Sequence, residues 1–255
     1  MGYSAIGKHR SALSALLPLV EGYSIGKHPV ITKVMKGVFR TKPNLPKSTT
    51  TYDVNIVLTY LASLGDTGLM DLKALTWKLV TLLALLSGGR GQTLAAIDIR
   101  GIEFCFNDTV RIHISQILKT STPNRHIKPI TLKVFIDEPR LCVVGTLREY
   151  LRRTFTLRGP GTQLFLSFQP PHPPITVSTI RRWVVDTLRA AGIESFTAHS
   201  TRAASTSAAS VRGATLETIC KAGGWSNART FASHYHKVVD TQNFGDTVLK
   251  NYKGM

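Results

Sequence analysis

Residues Leu72 to Leu86 read LKALTWKLVTLLALL, and a helix wound from them is apolar almost all the way round. A helix of that kind has to be enclosed by other elements, so it predicts the centre of the core. The chain supplies amphipathic partners for it. Tyr52 to Leu64 follows a Ser/Thr run, keeps Val54, Val57, Leu58 and Leu61 on one face, and is ended by Gly65. Val143 to Phe155 reads as a helix with a basic face of Arg148, Arg152 and Arg153. A further helix, capped by Thr176 or Ser178 and stopped by Gly192, turns Ile180, Trp183, Val184 and Leu188 inward. Its other face presents Arg181, Arg182 and Arg189. Ile102 to Ile114 and Ile127 to Val134 alternate apolar and polar residues, the period of half-buried strands. These patterns predict an α+β fold, mainly α-helical, with a small three-stranded antiparallel sheet on one side.

Ahead of this body, Ile6, Leu13, Leu16, Leu17 and Val20 recur at near-helical spacing, with Lys8, His9 and Arg10 between them. A second short helix starts at Pro29 and carries Val30, Ile31, Val34, Met35 and Val38. Arg40 to Lys47, with two prolines among polar residues, predicts a linker. Two domains are therefore expected, residues 1–46 and residues 47–255. Two short helices bury too little surface to stand alone.

Lys and Arg number 32 against 15 Asp and Glu, a formal charge of +17 on 255 residues. An excess of that size points to a polyanionic partner, nucleic acid before an anionic membrane. Cys105, Cys142 and Cys220 are far apart and form no CxxC, which argues for a reducing compartment and against a zinc site or a disulfide framework. No apolar run reaches membrane-spanning length and the first residues lack a signal-peptide layout, so no membrane partner is expected.

The chemistry concentrates between Thr197 and Lys237, TAHSTRAASTSAASVRGATLETICKAGGWSNARTFASHYHK. His199 and Arg202 lie three apart, one helical face at a helix start, where free amides add anion donors. Trp225 follows a Gly-Gly pair, and Tyr235 stands between His234 and His236. An imidazole, a permanent cation, an indole donor and a phenol are the equipment for attack on a phosphodiester by tyrosine. Trp225-Ser226 is expected to open the last helix, with Ser226 as cap and Tyr235 near its end. A metal site on His199, His234 and His236 lacks carboxylate or cysteine companions. A serine nucleophile within Ser200 to Ser210 lacks an acid to orient a histidine, and the small residues there suit close packing.

This stretch resembles the catalytic block of the tyrosine recombinases, phage-integrase-like enzymes with His-x-x-Arg, then His or Trp, then a nucleophilic Tyr. The resemblance covers roughly residues 50 to 240. AGGWSNARTFASHYHK and SGGRGQTLAAIDIR are most similar to recombinases of DIRS-type retroelements. It implies a covalent 3′-phosphotyrosyl intermediate on double-stranded DNA, with Tyr235 as nucleophile and Tyr252 as the only later tyrosine. Arg90, among glycines, matches the first catalytic arginine, with Arg202 as the second. His199 is the candidate base and Trp225 an indole donor that also packs on the tyrosine. On the turn Leu118 to His126, Lys119 matches the lysine that protonates the leaving oxygen, with Lys128 and Lys133 as nearby competitors. Arg181, Arg182, Lys128 and Lys8 are candidate DNA contacts.

Two departures stand out. Thr93 occupies the place where many bacterial members carry an acid, and Trp225 and Tyr235 are ten positions apart, one more than in those members. The resemblance implies no metal or other cofactor, a homo-tetramer on DNA and nuclear localisation. Val238, Val239, Phe244, Val248 and Leu249 are expected to form a helix that docks on a neighbouring subunit. Residues 1–46 would be the tail of a helical core-binding domain whose first helices are missing, the alternative being helices that simply cap the catalytic domain. Other readings are a type IB topoisomerase and a truncated, non-catalytic DNA-binding relic.

Overall fold

A computed structural model describes residues 2–43, 50–118, 121, 127–225 and 227–239. The chain divides into two units, residues 1–49 and 50–255.

The first unit holds α1 (Tyr3–Leu16), a 3-10 turn (Ile25–Lys27) and α2 (Pro29–Thr41). Pro29 sits in the first turn of α2, where its missing N–H costs nothing, and the Val30 amide donates to the His28 ring. The Gly26 amide donates to Ser14 Oγ at 2.6 Å, tying the turn to α1. Tyr3 meets Phe39 edge-on at 5.3 Å, and Met35 is buried. Arg40 and Thr41, expected in the linker, instead complete α2. The helix ends only at Lys42, the residue that Pro43 forces out of helical conformation. Lys8 is exposed on α1.

The second unit is built on α4 (Leu72–Ser87). Asp71 caps it by accepting from the Ala74 amide at 2.6 Å, and Gly88 ends it in the left-handed region at φ 55°. Around it pack α5 (Gly91–Ala95), α6 (Val143–Thr154), α7 (Val177–Ala190), α8 (Ser200–Val211) and the strand β4 (Ile130–Lys133). Leu75, Leu79, Leu82 and Leu83 have no exposed surface, each contributing ~1.5–3 kcal/mol of burial. Even Lys78 is enclosed. Its Nζ donates to the Gly65 carbonyl at 3.3 Å, and burial, then Arg140, pushes its pKa down.

The remaining helices are α3 (Val54–Ser63), α9 (Leu216–Gly223) and α10 (Ala228–His234). The sheet is antiparallel in the order β2 (Ile102–Cys105), β3 (Thr109–Ile112), β4, with Val110 opposite both Phe104 and Leu132. Val110, Ile112 and Leu132 are buried, and β4 packs on α4 and α6. The fold is thus mainly helical with a small antiparallel sheet, as the periodicities predict. Thr176, not Ser178, caps α7, accepting from the Thr179 amide.

Two expectations near the end of the chain need correction. Asn227 caps α10, accepting from the Arg229 amide at 2.7 Å, so the helix begins after Trp225 and Tyr235 falls at its C-terminal cap. Ser226 lies outside the described residues. Val238 and Val239 are not helical but form β5 (Val238–Val239), parallel to β1 (Thr50–Thr51) of the same chain. Their β-branched side chains suit an extended backbone, which Thr50 and Thr51 pair as a short parallel ladder. Phe244, Val248 and Leu249 lie outside the described residues. Among the described residues no helix is long and apolar enough to cross a membrane.

Candidate active site

The turn after α4 and the start of α8 bring the first cations together. Because Gly88 turns left-handed, its carbonyl meets Arg202, whose Nη1 donates to it at 2.7 Å. Arg202 Nη2 donates to the Gly223 carbonyl at the end of α9. A Cβ at Gly223 would press against the six-membered ring of the Trp225 indole, so a larger residue there would have to displace the ring. One guanidinium therefore joins three segments that are remote in sequence. Of its five N–H groups, two are spent on carbonyls, and the others leave it able to bind an anion as well. Burial, then Arg90, lowers the Arg202 pKa to about 10, which still leaves the group charged at neutral pH.

Aromatic rings stack over that cation. The Arg202 guanidinium carbon lies 4.3 Å from the centroid of the Trp225 ring and 5.1 Å from that of Tyr235. Trp225 and Tyr235 are 4.5 Å apart at an interplanar angle of 38°. Trp225, with Ile219 and Phe231, forms a small hydrophobic cluster of its own. Its Nε1 is buried without a hydrogen-bond acceptor among the described residues. Such a donor carries a cost that a ligand oxygen would relieve.

His199 occupies the N-cap position of α8, with its side chain unused for capping. Its Nε2 lies 3.4 Å from Tyr235 Oη, a long contact of the kind that tightens when substrate binds. Partial burial, then Arg202, Arg90, Arg181 and Lys237, hold its pKa below the usual 6.5. The ring is therefore neutral at pH 7 and able to accept a phenolic proton.

Arg90 takes the N-cap position of α5 and lines two adjoining clefts. One, of about 350 Å³, is also lined by Thr93, Lys128, Arg202 and Trp225. The other, of about 650 Å³, is lined by Arg181, Arg182 and His199. Among the described residues the side chains of Arg90, Arg181 and Arg182 make no hydrogen bond or ion pair. Among the described residues the wall of the smaller cleft holds no carboxylate. Asp186 in the larger one faces Arg189 at 3.7 Å. Among the described residues, no three His, Cys, Asp or Glu side chains are grouped to hold a metal ion.

The structure thus brings together Tyr235, His199, Arg202, Trp225, Arg90, Arg181, Arg182 and Lys128 around contiguous clefts. Lys119 and Tyr252 lie outside the described residues, and Lys133 is exposed on β4. Lys8 belongs to the first unit. Three contributors carried no sequence signal of their own. These are the carbonyls of Gly88 and Gly223, and Ser207, whose Oγ contacts the backbone around Tyr235.

A helical body with a three-stranded sheet at its side is the catalytic-domain fold of the tyrosine recombinases. The chain belongs to the phage integrase family, which it matches over residues 61–242. Similar solved structures include the XerA recombinase, with a TM-score of 0.55 and 14% identity over 100% of this chain and 85% of that one. XerH site-specific recombinase in a post-cleavage complex with a palindromic difH substrate gives 0.59 and 14% over 98% and 72%. A lambda integrase dimer bound to a COC′ core site gives 0.52 and 15% over 95% and 82%. At such identities the likeness is one of fold. No curated protein matches the chain.

Proposed function

We propose that this chain is a site-specific DNA recombinase that cuts and rejoins strands through Tyr235. The observation that carries the reading is the phenol held 3.4 Å from a neutral imidazole and stacked beside the buried Arg202. Tyr235 Oη attacks a phosphorus while His199 takes its proton, and the 5′-oxygen leaves, giving a 3′-phosphotyrosyl link. Arg90 and Arg202 donate to the nonbridging oxygens, where charge grows in the transition state, and Trp225 Nε1 adds a donor. Lys119 is the candidate acid for the leaving oxygen, and Lys128, in the cleft wall, is its competitor. A 5′-hydroxyl from another strand reverses the step. The bond energy stays in the phosphodiester, so the scheme needs no nucleotide cofactor.

The partner is double-stranded DNA, a reading supported by the +17 charge and by the DNA bound to the XerH and lambda integrase relatives. Exchange between two duplexes needs four cuts, hence a homo-tetramer on DNA. The ten-position Trp225-to-Tyr235 spacing and the AGGWSNARTFASHYHK stretch support a mobile-element enzyme of the DIRS type, acting in the nucleus. The test is covalent capture. On a nicked suicide duplex the wild-type chain should form a denaturant-resistant adduct that Tyr235→Phe abolishes. An undiminished adduct in that variant would move the nucleophile elsewhere, with Tyr252 next in line.

A further inference from the structure

We propose that Ser207 is a positioning residue for the nucleophile, bridging the backbone on both sides of Tyr235. The proposal rests on the reading of Tyr235 as nucleophile. Ser207 lies in α8 and has no exposed surface. Its Oγ donates to the Tyr235 carbonyl at 2.8 Å and accepts from the Lys237 amide at 2.9 Å. A single hydroxyl thus spends its donor and one acceptor site on positions two residues apart.

The need for such a bridge follows from where Tyr235 sits. The amides of both Tyr235 and His236 end on the Phe231 carbonyl, so α10 stops there. Carbonyls at a helix end have no partner inside the helix. The Lys237 amide lies between that end and β5, at the point where helical bonding has ceased and the β1 ladder has yet to begin. Ser207 serves both groups. It also ties them to the helix whose N-cap is His199 and whose first turn carries Arg202. The acceptor for the phenolic proton, the phosphate-binding cation and the backbone of the phenol therefore move as one body. Neighbouring hydroxyls do other work, since Ser205 and Thr206 both donate to the Arg202 carbonyl within α8.

The competing account is that Ser207 is merely small, letting α8 approach its neighbours. The two accounts differ over alanine, which is smaller still and has no hydroxyl. In the full chain, Ser207→Ala should slow single-turnover adduct formation on the suicide duplex by about 10–100-fold, the scale of a misplaced nucleophile. DNA affinity should stay within about twofold, because bonds made inside the protein do not touch the duplex. Hydrogen exchange at the Lys237 amide should accelerate in the same variant. Ser207→Thr, which keeps the hydroxyl, should restore most of the rate, whereas Ser207→Cys, of similar volume and poor hydrogen bonding, should not.

An alanine or cysteine variant that forms adduct at the wild-type rate overturns the proposal while leaving Tyr235 as nucleophile. Should Ser207→Ala fail to fold, the cysteine and threonine variants decide by the same rates. Persistence of the adduct in Tyr235→Phe, or no adduct from the wild-type chain, overturns the nucleophile reading and this proposal with it.

Discussion

Helices α6 and α7 look alike in sequence, each with an apolar inner face and three arginines outside. In the folded chain they differ in what those arginines do. On α6, Arg148 stacks on Phe104 at 4.8 Å, and Arg152 grips Glu149 with two bonds of 2.9 and 2.7 Å. Arg153 donates to the Met70 carbonyl, 83 positions away in sequence. On α7, Arg189 is partnered by Asp186, but Arg181 and Arg182 line the cleft beside Arg90 and His199. A guanidinium already matched to a carboxylate or carbonyl has fewer N–H groups to offer a phosphate, and a carboxylate also offsets its charge. One that faces a cleft full of like charge is relieved by an anion. Basic residues count toward DNA binding by availability, and two helices of equal charge can contribute unequally.

The sharpest test compares Arg90, which lines both clefts, with Arg153 on α6. Arg90→Ala should lower single-turnover cleavage by ~100–1000-fold, the scale of one lost oxyanion donor, with a much smaller change in DNA affinity. A parallel fall in affinity and rate would make Arg90 a simple binding contact. Arg153→Ala should leave cleavage unchanged.

A second test uses pH. His199 must be neutral to accept the phenolic proton, and its pKa is held below 6.5. Cleavage should therefore be level around neutrality and fall by about tenfold per unit once pH drops beneath that lowered pKa. Removing a cation lets the imidazole protonate more easily. Arg181→Ala should thus move the acid limb to higher pH, while Arg152→Ala on α6 should not move it. An acid limb that ignores Arg181 would break the distinction between the helices.

Salt titration gives a smaller effect. Neutralised phosphates release counterions, with a slope of about 0.9 per contact, so Arg181→Ala with Arg182→Ala should flatten the salt dependence by about 1–2. The paired Arg148→Ala and Arg152→Ala variant should flatten it less. Smallest of all is stability. Arg153→Ala should cost ~1 kcal/mol in denaturant unfolding through the lost bond to Met70. Arg152→Ala, at an exposed ion pair, should cost nothing measurable.

Periodicity was enough to read the enclosed helix at Leu72, the amphipathic helices around it and the alternating strands, because each pattern is set by neighbours a few residues away. The residue types suited to phosphodiester chemistry were legible too, since His-x-x-Arg, Trp and Tyr fall in one stretch. The same local logic failed where long-range partners decide. Val238 and Val239 looked like the start of a helix, yet they pair with Thr50 and Thr51 from the other end of the second unit. Ser207 looked like one small residue among many, and only folding brings its hydroxyl to a carbonyl 28 positions away. Arg202 was visible as a cation. That Gly88, 114 positions away, and Gly223 hold it between the ends of α4 and α9 is a property of the assembled unit. Side-chain chemistry belongs to the residue and helical or strand period to its near neighbours. Which donor meets which acceptor is decided by packing, because the competing partners are remote in sequence and only the enclosed core sets their distances.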